Sequence, residues 1–363
     1  MSNDLNELVT FGNRLKFSSE ILGEERPLLI HLPDGYYKTR DHYPVFYLLN
    51  GDYEPRFVNT AASIELLSGT GRIPNMIVIG IADVNHVRDW FPFKVQGDKG
   101  GGGENALKFI TEELMPFVDK NYRTVPYKIL AGGSNTAMFT VYALLKKPEA
   151  FNAYIAVSPM LGWNSEFFTE MAEKCFAQNS SLDTFLYLTY GTKEYDQVVL
   201  STKDFAKLLE DKAPEGLEWE LKILEGEGHV PLPWVHNSLI SMFSDFEFPQ
   251  EQFLDEDPDE IKAFYDILSR KYGFKIKIPE EVLSDLAYEL TIKEQLEKSI
   301  KVCKLFVEEH PSSSGAQYMQ GIVYQKNGDK ELAMKSYKKA LELDPKNARI
   351  ESKIKELRQE EQS

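Results

Sequence analysis

Along the first two thirds of the chain, short unbroken apolar runs alternate with stretches whose apolar positions recur at helical spacing. Leu15 to Leu32 reads as two strands joined at Gly23-Glu24, with Pro33-Asp34-Gly35 as the turn after the second. Tyr43 to Leu49 (YPVFYLL) and Asn75 to Ile81 (NMIVIGI) are apolar nearly throughout, as strands covered on both faces are. Arg56 to Leu67 between them suits a crossover helix. Ala106 to Tyr122 again has helical period. Phe151–Val157, Thr184–Tyr190 and Leu217–Leu224 give three further strands, separated by helical stretches at Ser165–Phe176 and Leu200–Asp211. Strands alternating with helices predict an α/β fold with a doubly covered, mostly parallel sheet.

The pattern changes after Phe248. The stretch PQEQFLDEDPDE is acidic and punctuated by proline, so it reads as a linker or domain edge, and the chain beyond Ile278 is helical. Gly321, Tyr324, Gly328-Asp329, Ala333, Tyr337, Ala340 and Pro345, between Ser314 and Asn347, match the tetratricopeptide pattern of paired antiparallel helices. Pro311 stands one repeat length before Pro345, and Ala287 and Ser299 fall where Gly321 and Ala333 fall. Glu280 to Ser313 therefore looks like an earlier, degenerate copy. The expected division is an α/β domain over 1–248, a linker or helical edge over 249–279, and tetratricopeptide-like repeats over 280–363. So few repeats need a neighbour to cover their open surface. A homodimer or a protein partner held through these repeats is expected.

Composition narrows the function. The chain has 363 residues, 42% apolar and 12% aromatic, which suits a globular protein with a large core. A formal charge of −16 argues against nucleic acid or an anionic membrane surface as partner. No apolar run is long enough to span a bilayer. The segment MSNDLNELVTFGNRL lacks the pattern of an export signal, so the expected location is cytoplasmic if Met1 is native and extracytoplasmic if a signal was removed. Cys175 and Cys303 sit among helical-pattern residues of different domains and read as packing thiols. Neither zinc spacing nor a Walker-type loop occurs, so no metal and no cofactor is expected. The glycine run Gly100 to Gly103 has no Lys-Ser/Thr after it and reads as a mobile loop.

The candidate chemistry centres on YKILAGGSNTAMFTVY, Tyr127 to Tyr142. An apolar strand run meets two glycines, Ser134, and then helical spacing, which is the strand–turn–helix context of a nucleophile elbow. Small neighbours let strand and helix approach closely. The Asn135 amide, at the helix N-terminus, is left free to hold an oxyanion. Thr136 and Ala137 depart from the usual second glycine, and Thr136 has the bulk to crowd the corner. A serine needs a base, and the base needs an acid to fix its tautomer. In this fold the chain order is serine, acid, histidine. The strand TFLYLTY ends in Gly191-Thr192-Lys193-Glu194-Tyr195-Asp196, and the next strand ends in Glu225-Gly226-Glu227-Gly228-His229. Ser134, His229 and Glu194 are the candidate set, with Asp196 the alternative acid and His86 a rival base.

The segment Arg88 to Pro159, with RDWFPF, the glycine-rich loop, ALKFITEELMPFVDKNYRT, the elbow and PEAFNAYIAVSP, resembles the putative-esterase family of α/β-hydrolases, which includes esterase D-like and enterochelin esterase-like enzymes. YPVFYLLNGD resembles that family's oxyanion strand and LEGEGHVPLPWVHNSL its histidine loop, so the resemblance covers about residues 14–245. It implies a serine carboxylic-ester hydrolase with Ser134 as nucleophile, His229 as base, Glu194 as acid, and the Asn135 and Asp52 amides as oxyanion donors. The family more often has His before the serine and glycines in place of Thr136 and Ala137. Tyr53, Trp90, Phe91, Phe93, Trp163 and Trp234 lie on loops near this site and suggest a pocket for an aromatic or bulky acyl group. Phenolic esters, sugar esters and siderophore lactones fit such a pocket. An acyltransferase or thioesterase on the same triad, or a catalytically weak hydrolase-fold scaffold binding a partner through its repeats, are the competing readings.

Overall fold

The computed structural model describes residues 10–95, 97, 99–249 and 258–360. The first nine residues and most of the acidic linker stretch lie outside the described residues. The chain forms two compact units: one runs up to Tyr36 and takes in Arg40–Leu67 and Pro74–Ser244, the other takes Tyr37–Thr39, Ser68–Ile73 and the chain from Asp245 onward.

The first unit is built on an eight-stranded sheet in the order β1-β2-β4-β3-β5-β6-β7-β8. Its strands are β1 (Asn13–Ser19), β2 (Glu24–His31), β3 (Tyr43–Leu49), β4 (Ile77–Ile81), β5 (Thr124–Gly133), β6 (Ala153–Val157), β7 (Ser181–Gly191) and β8 (Glu215–Leu224). β1 and β2 pair as an antiparallel hairpin, β2 pairs antiparallel with β4, and the strands from β4 to β8 in that order are parallel to one another. All seven residues of β3 and all five of β4 and of β6 are buried, which explains why these segments are apolar without alternation. The hairpin turn is held from outside: the Glu113 carboxylate accepts the Ser19 hydroxyl at 2.5 Å and the amides of Glu20 and Ile21 at 2.9 and 3.0 Å.

The helices that frame the sheet include α1 (Glu54–Gly69), α2 (His86–Trp90), α3 (Gly103–Lys108), α4 (Met115–Asn121), α5 (Asn135–Lys146), α6 (Ser165–Gln178), α7 (Asp196–Lys212) and α8 (Trp234–Met242). A π-helical turn, Phe109–Leu114, joins α3 to α4. α5 follows β5 directly and is buried from Thr136 to Leu145, so it is the central helix of its layer. The glycine run is a loop bridged by Lys94 and Gly100, and Gly103 already begins α3. α7 begins at Asp196, four residues before the start at Leu200 that the sequence predicts, with an acidic residue at its N-terminus and Val198 already buried.

The second unit contains the helix Pro258–Tyr272, the antiparallel pairs Glu280–Ile292 with Leu296–Glu309 and Ser314–Lys326 with Lys330–Leu343, and the final helix Ala348–Glu360. Small residues allow each pair to close. A Cβ at Gly321 would stand 2.5 Å from the Tyr337 ring. In the first pair Ser299 takes the equivalent role of Ala333, and its buried hydroxyl donates to the Ala287 carbonyl at 2.8 Å. Both cysteines are buried thiols, and burial pushes Cys303 up to about 12. No helix among the described residues is long and apolar enough to cross a membrane.

Candidate active site

Ser134 stands where β5 ends and α5 begins, with φ 61° and ψ −122°. A positive φ at a non-glycine residue is strained, and it persists only where the surroundings enforce it. They do so here. The Ser134 amide donates to the Val157 carbonyl at 2.8 Å, and the Ser134 carbonyl accepts the first α-helical bond from Met138. A Cβ on Gly132 would lie 2.5 Å from the Thr136 carbonyl oxygen, and one on Gly133 would lie 3.0 Å from the Val230 side chain. Strand, helix and histidine loop therefore close on the corner only because both residues lack side chains. Thr136 does not crowd the corner. Its hydroxyl turns back to accept from the Gly133 amide at 2.9 Å and to donate to the Gly133 carbonyl at 2.8 Å.

The loops after β7 and β8 are laced together. The Thr192 amide donates to the Leu224 carbonyl at 3.0 Å, the Lys193 amide to the Glu227 carbonyl at 2.8 Å, and the Gly226 amide to the Thr192 hydroxyl at 2.9 Å. A Cβ on Gly191 would fall 2.2 Å from the Glu227 carbonyl oxygen, so the two strand ends lie against each other. Val230, at φ 54°, donates its amide to the Ser158 hydroxyl at 3.0 Å. That bond ties the histidine loop to the end of β6.

These supports place His229 Nε2 2.9 Å from Ser134 Oγ and His229 Nδ1 2.8 Å from Glu194 Oε1. The Glu194 side chain is fully buried, and its Oε1 also accepts the Tyr195 amide at 2.9 Å. Its Oε2 has no hydrogen-bond partner among the described residues, so the imidazole is the one side chain hydrogen-bonded to this carboxylate. With a carboxylate at Nδ1, that nitrogen carries the proton, and Nε2 is the acceptor for the serine hydroxyl. Asp196 is exposed as the first residue of α7. His236 is exposed on α8, while His31 bonds Phe11 and Glu65 and His310 bonds Ile278.

Asp52 follows the turn after β3, and its Oδ1 accepts the Asp83 amide at 3.1 Å. Gly51 and Gly80 touch there: a Cβ on Gly51 would lie 2.4 Å from Gly80 Cα. Of the aromatic residues singled out from the sequence, Trp90 (1% exposed), Phe91 and Trp234 are buried and support the rim from within. Their burial removes them from contact with a substrate. Tyr53 and Trp163 are 59% and 50% exposed. Phe91 packs edge-on against both Trp163 and Phe93, at 5.7 and 6.2 Å between centroids, and Phe93 against Phe167 at 5.2 Å. Tyr195, 65% exposed, lies with its ring 5.2 Å from that of His229.

Sequence reasoning missed a second histidine–carboxylate pair. His86 Nδ1 bonds the Asp83 carboxylate, and His86 Nε2 lies 2.9 Å from Asn135 Nδ2. The three-residue spacing of Asp83 and His86, which spans the N-cap Asn85 at the start of α2, was the available signal. Below this pair, Arg26 (fully buried) bonds Asp89 at 2.7 Å and Glu24 at 2.6 Å, and Arg88 forks onto Glu24 at 2.8 and 2.9 Å. The network fixes α2 against the β1–β2 hairpin.

The relatives place the chain in a class. Residues 19–207 match the family model "Putative esterase", and residues 315–347 match the tetratricopeptide repeat model. The chain belongs to the putative esterase family and is a carboxylic-ester hydrolase carrying tetratricopeptide repeats. It is 28% identical over 214 residues to the ferri-bacillibactin esterase BesA of Bacillus subtilis, an alignment covering 52% of this chain and 74% of that one. It is 34% identical over 100 residues, 26% of this chain and 33% of the other, to a siderophore enterobactin esterase of Emericella nidulans. Among solved structures, an IroE-like serine hydrolase from Shewanella oneidensis shares the fold with a TM-score of 0.71 and 24% identity, covering 82% of this chain and 99% of that one.

Proposed function

We propose that the chain hydrolyses siderophore-type or related aromatic carboxylic esters through a serine acyl-enzyme. One observation carries the reading: Ser134 Oγ, His229 and Glu194 Oε1 form a continuous chain of hydrogen bonds at 2.9 and 2.8 Å, with the serine on a strained strand–helix corner. Ser134 Oγ attacks the ester carbonyl while His229 Nε2 takes its proton. Glu194 holds the imidazole in the reactive tautomer and faces the imidazolium that forms. The amides of Asn135 and Asp52 receive the negative oxygen of the tetrahedral intermediate. His229 then returns the proton to the departing alcohol, and water, deprotonated by the same nitrogen, releases the acid. The siderophore class is supported by the relatives, which are siderophore esterases, and by the exposed aromatic rings of Trp163, bonded to Asn135, and Tyr195, beside His229. Turnover of a p-nitrophenyl ester by the full chain, lost in Ser134→Ala, tests the chemistry. A catecholate trilactone siderophore, scored by release of its linear products, tests the substrate class.

A further inference from the structure

The second histidine–carboxylate pair ends on an exposed indole, and its proton positions can be assigned without ambiguity. Trp163 Nε1 lies 3.0 Å from Asn135 Oδ1. An indole nitrogen only donates, so the carboxamide oxygen must face Trp163 and the NH2 must face His86. His86 Nε2, 2.9 Å from that NH2, is then the acceptor. Its proton sits on Nδ1 and goes to the Asp83 carboxylate. The other Asp83 oxygen accepts a hydrogen bond from the buried Trp90 indole at 3.0 Å. A chain of bonds bounded by two donor-only indoles admits a single arrangement. Asn135 is the residue after Ser134, so its side chain is gripped at both ends beside the nucleophile.

At the far end the Trp163 indole is half-exposed, rests edge-on against Phe91, and has its only polar atom tied to Asn135. What it turns to solvent is wholly apolar and aromatic. The Leu161–Trp163 turn that carries it is pinned by buried Leu161 and by Gly162, where a Cβ would lie 2.4 Å from the Gln197 side chain. We propose that Asp83 and His86 are positioning residues which, through the Asn135 carboxamide, hold the Trp163 indole as the contact face for an aryl group on the acyl side of the ester. The inference rests on the esterase reading above and names the specificity of that site.

The test compares p-nitrophenyl benzoate with p-nitrophenyl acetate on the full chain. His86→Ala should lower kcat/KM for the benzoate more than for the acetate, by about tenfold in their ratio, with most of the difference in KM, as expected for lost aromatic contact. Trp163→Ala should give the same ratio, and the double variant should add nothing further, since both act on one contact. His86→Gln places an amide oxygen near the Nε2 position, can still accept from Asn135, and should restore the benzoate preference. Methyl benzoate binding to the Ser134→Ala protein reads the same face without turnover and should weaken on adding His86→Ala. Equal losses on both esters, additive losses in the double variant, or unchanged methyl benzoate binding would overturn the inference. Absence of turnover in the wild type would sink the esterase reading alone, and the binding measurement would still decide this one.

Discussion

The Thr136 hydroxyl accepts a hydrogen bond from the Gly133 amide at 2.9 Å and donates one to the Gly133 carbonyl at 2.8 Å, spanning the corner on which Ser134 sits. A bulky residue after the nucleophile's neighbour is thereby accommodated by a local bond rather than by displacement of the serine, whose Oγ stays 2.9 Å from His229. Thr136→Val keeps the volume and leaves the Gly133 amide without that partner, so it should cost about 1–3 kcal/mol of stability in urea unfolding. Thr136→Gly should also destabilise, because glycine in the first turn of a helix loses more backbone entropy on folding. Ester turnover by Thr136→Gly should change by less than about tenfold, or ~1.4 kcal/mol in the barrier. A gain well beyond that would mean the natural corner is impaired.

Glu194 and Asp196 lie two residues apart yet have different surroundings. Glu194 is buried on His229 Nδ1, and Asp196 opens α7 in solvent. Glu194→Gln should lower kcat by roughly three to four orders of magnitude, the size expected when the imidazole tautomer is lost. Asp196→Asn should affect helix stability by a few tenths of a kcal/mol and turnover little. Steady-state kinetics on the two variants would show an error in the assignment if their effects were exchanged.

The strands were legible in the sequence because parallel strands buried on both faces must be apolar end to end, as YPVFYLL and AYIAV are. The repeats were legible because Gly321 and Ala333 occupy contacts that larger residues could not. The Ser134 corner stood out for the same reason, since Gly132 and Gly133 have no room for a Cβ. Other features depend on distances between segments far apart in the chain. Whether Trp90 and Trp234 face a ligand or the core is decided by α5 and the sheet, not by their own loops. The pairing of Asp83 with His86 is local, but its purpose appears only when Asn135, at the start of α5, and Trp163, in the turn after β6, come together with it. Thr136 looked too large because its side chain was judged by volume and not by the bonds its hydroxyl could make.

The half-buried ionic network behind α2 predicts a pH response. The Arg88 hydrogen bond holds Glu24 below its ordinary value of 4.5, with the charges of Arg26 and Arg88 adding to it against the opposing effect of burial. A carboxylate with a depressed folded pKa contributes stability that is fully present above its unfolded value and is lost as pH falls through the folded one. Acid unfolding of the wild type should therefore steepen below pH 4.5. Glu24→Gln should lower stability at neutral pH by about 2 kcal/mol and flatten that acid limb. Denaturant titrations from neutral to acid pH would refute this if the two curves ran parallel.

In the repeats, Gly321→Ala would put a methyl group 2.5 Å from the Tyr337 ring. The helix would gain in propensity, but the overlap should dominate and cost about 1–3 kcal/mol. Thermal unfolding of the full chain followed by circular dichroism should show loss of stability in the helical unit while ester turnover at low temperature is kept. A stabilised protein would mean that the helix pair can separate at no cost. We further expect self-association through exposed apolar residues of this unit, such as Tyr288 and Ile292, and light scattering that returns a monomer mass would exclude it.

The central claim is that Ser134 is the nucleophile. An alkyl fluorophosphonate reacts with a serine only when a neighbouring base has made it nucleophilic. Intact-mass and peptide analysis of the treated full chain should find a single phosphonyl adduct on Ser134, formed in step with the loss of p-nitrophenyl ester turnover and abolished in His229→Ala. Turnover persisting in fully labelled protein, or an adduct confined to another serine, would contradict the account.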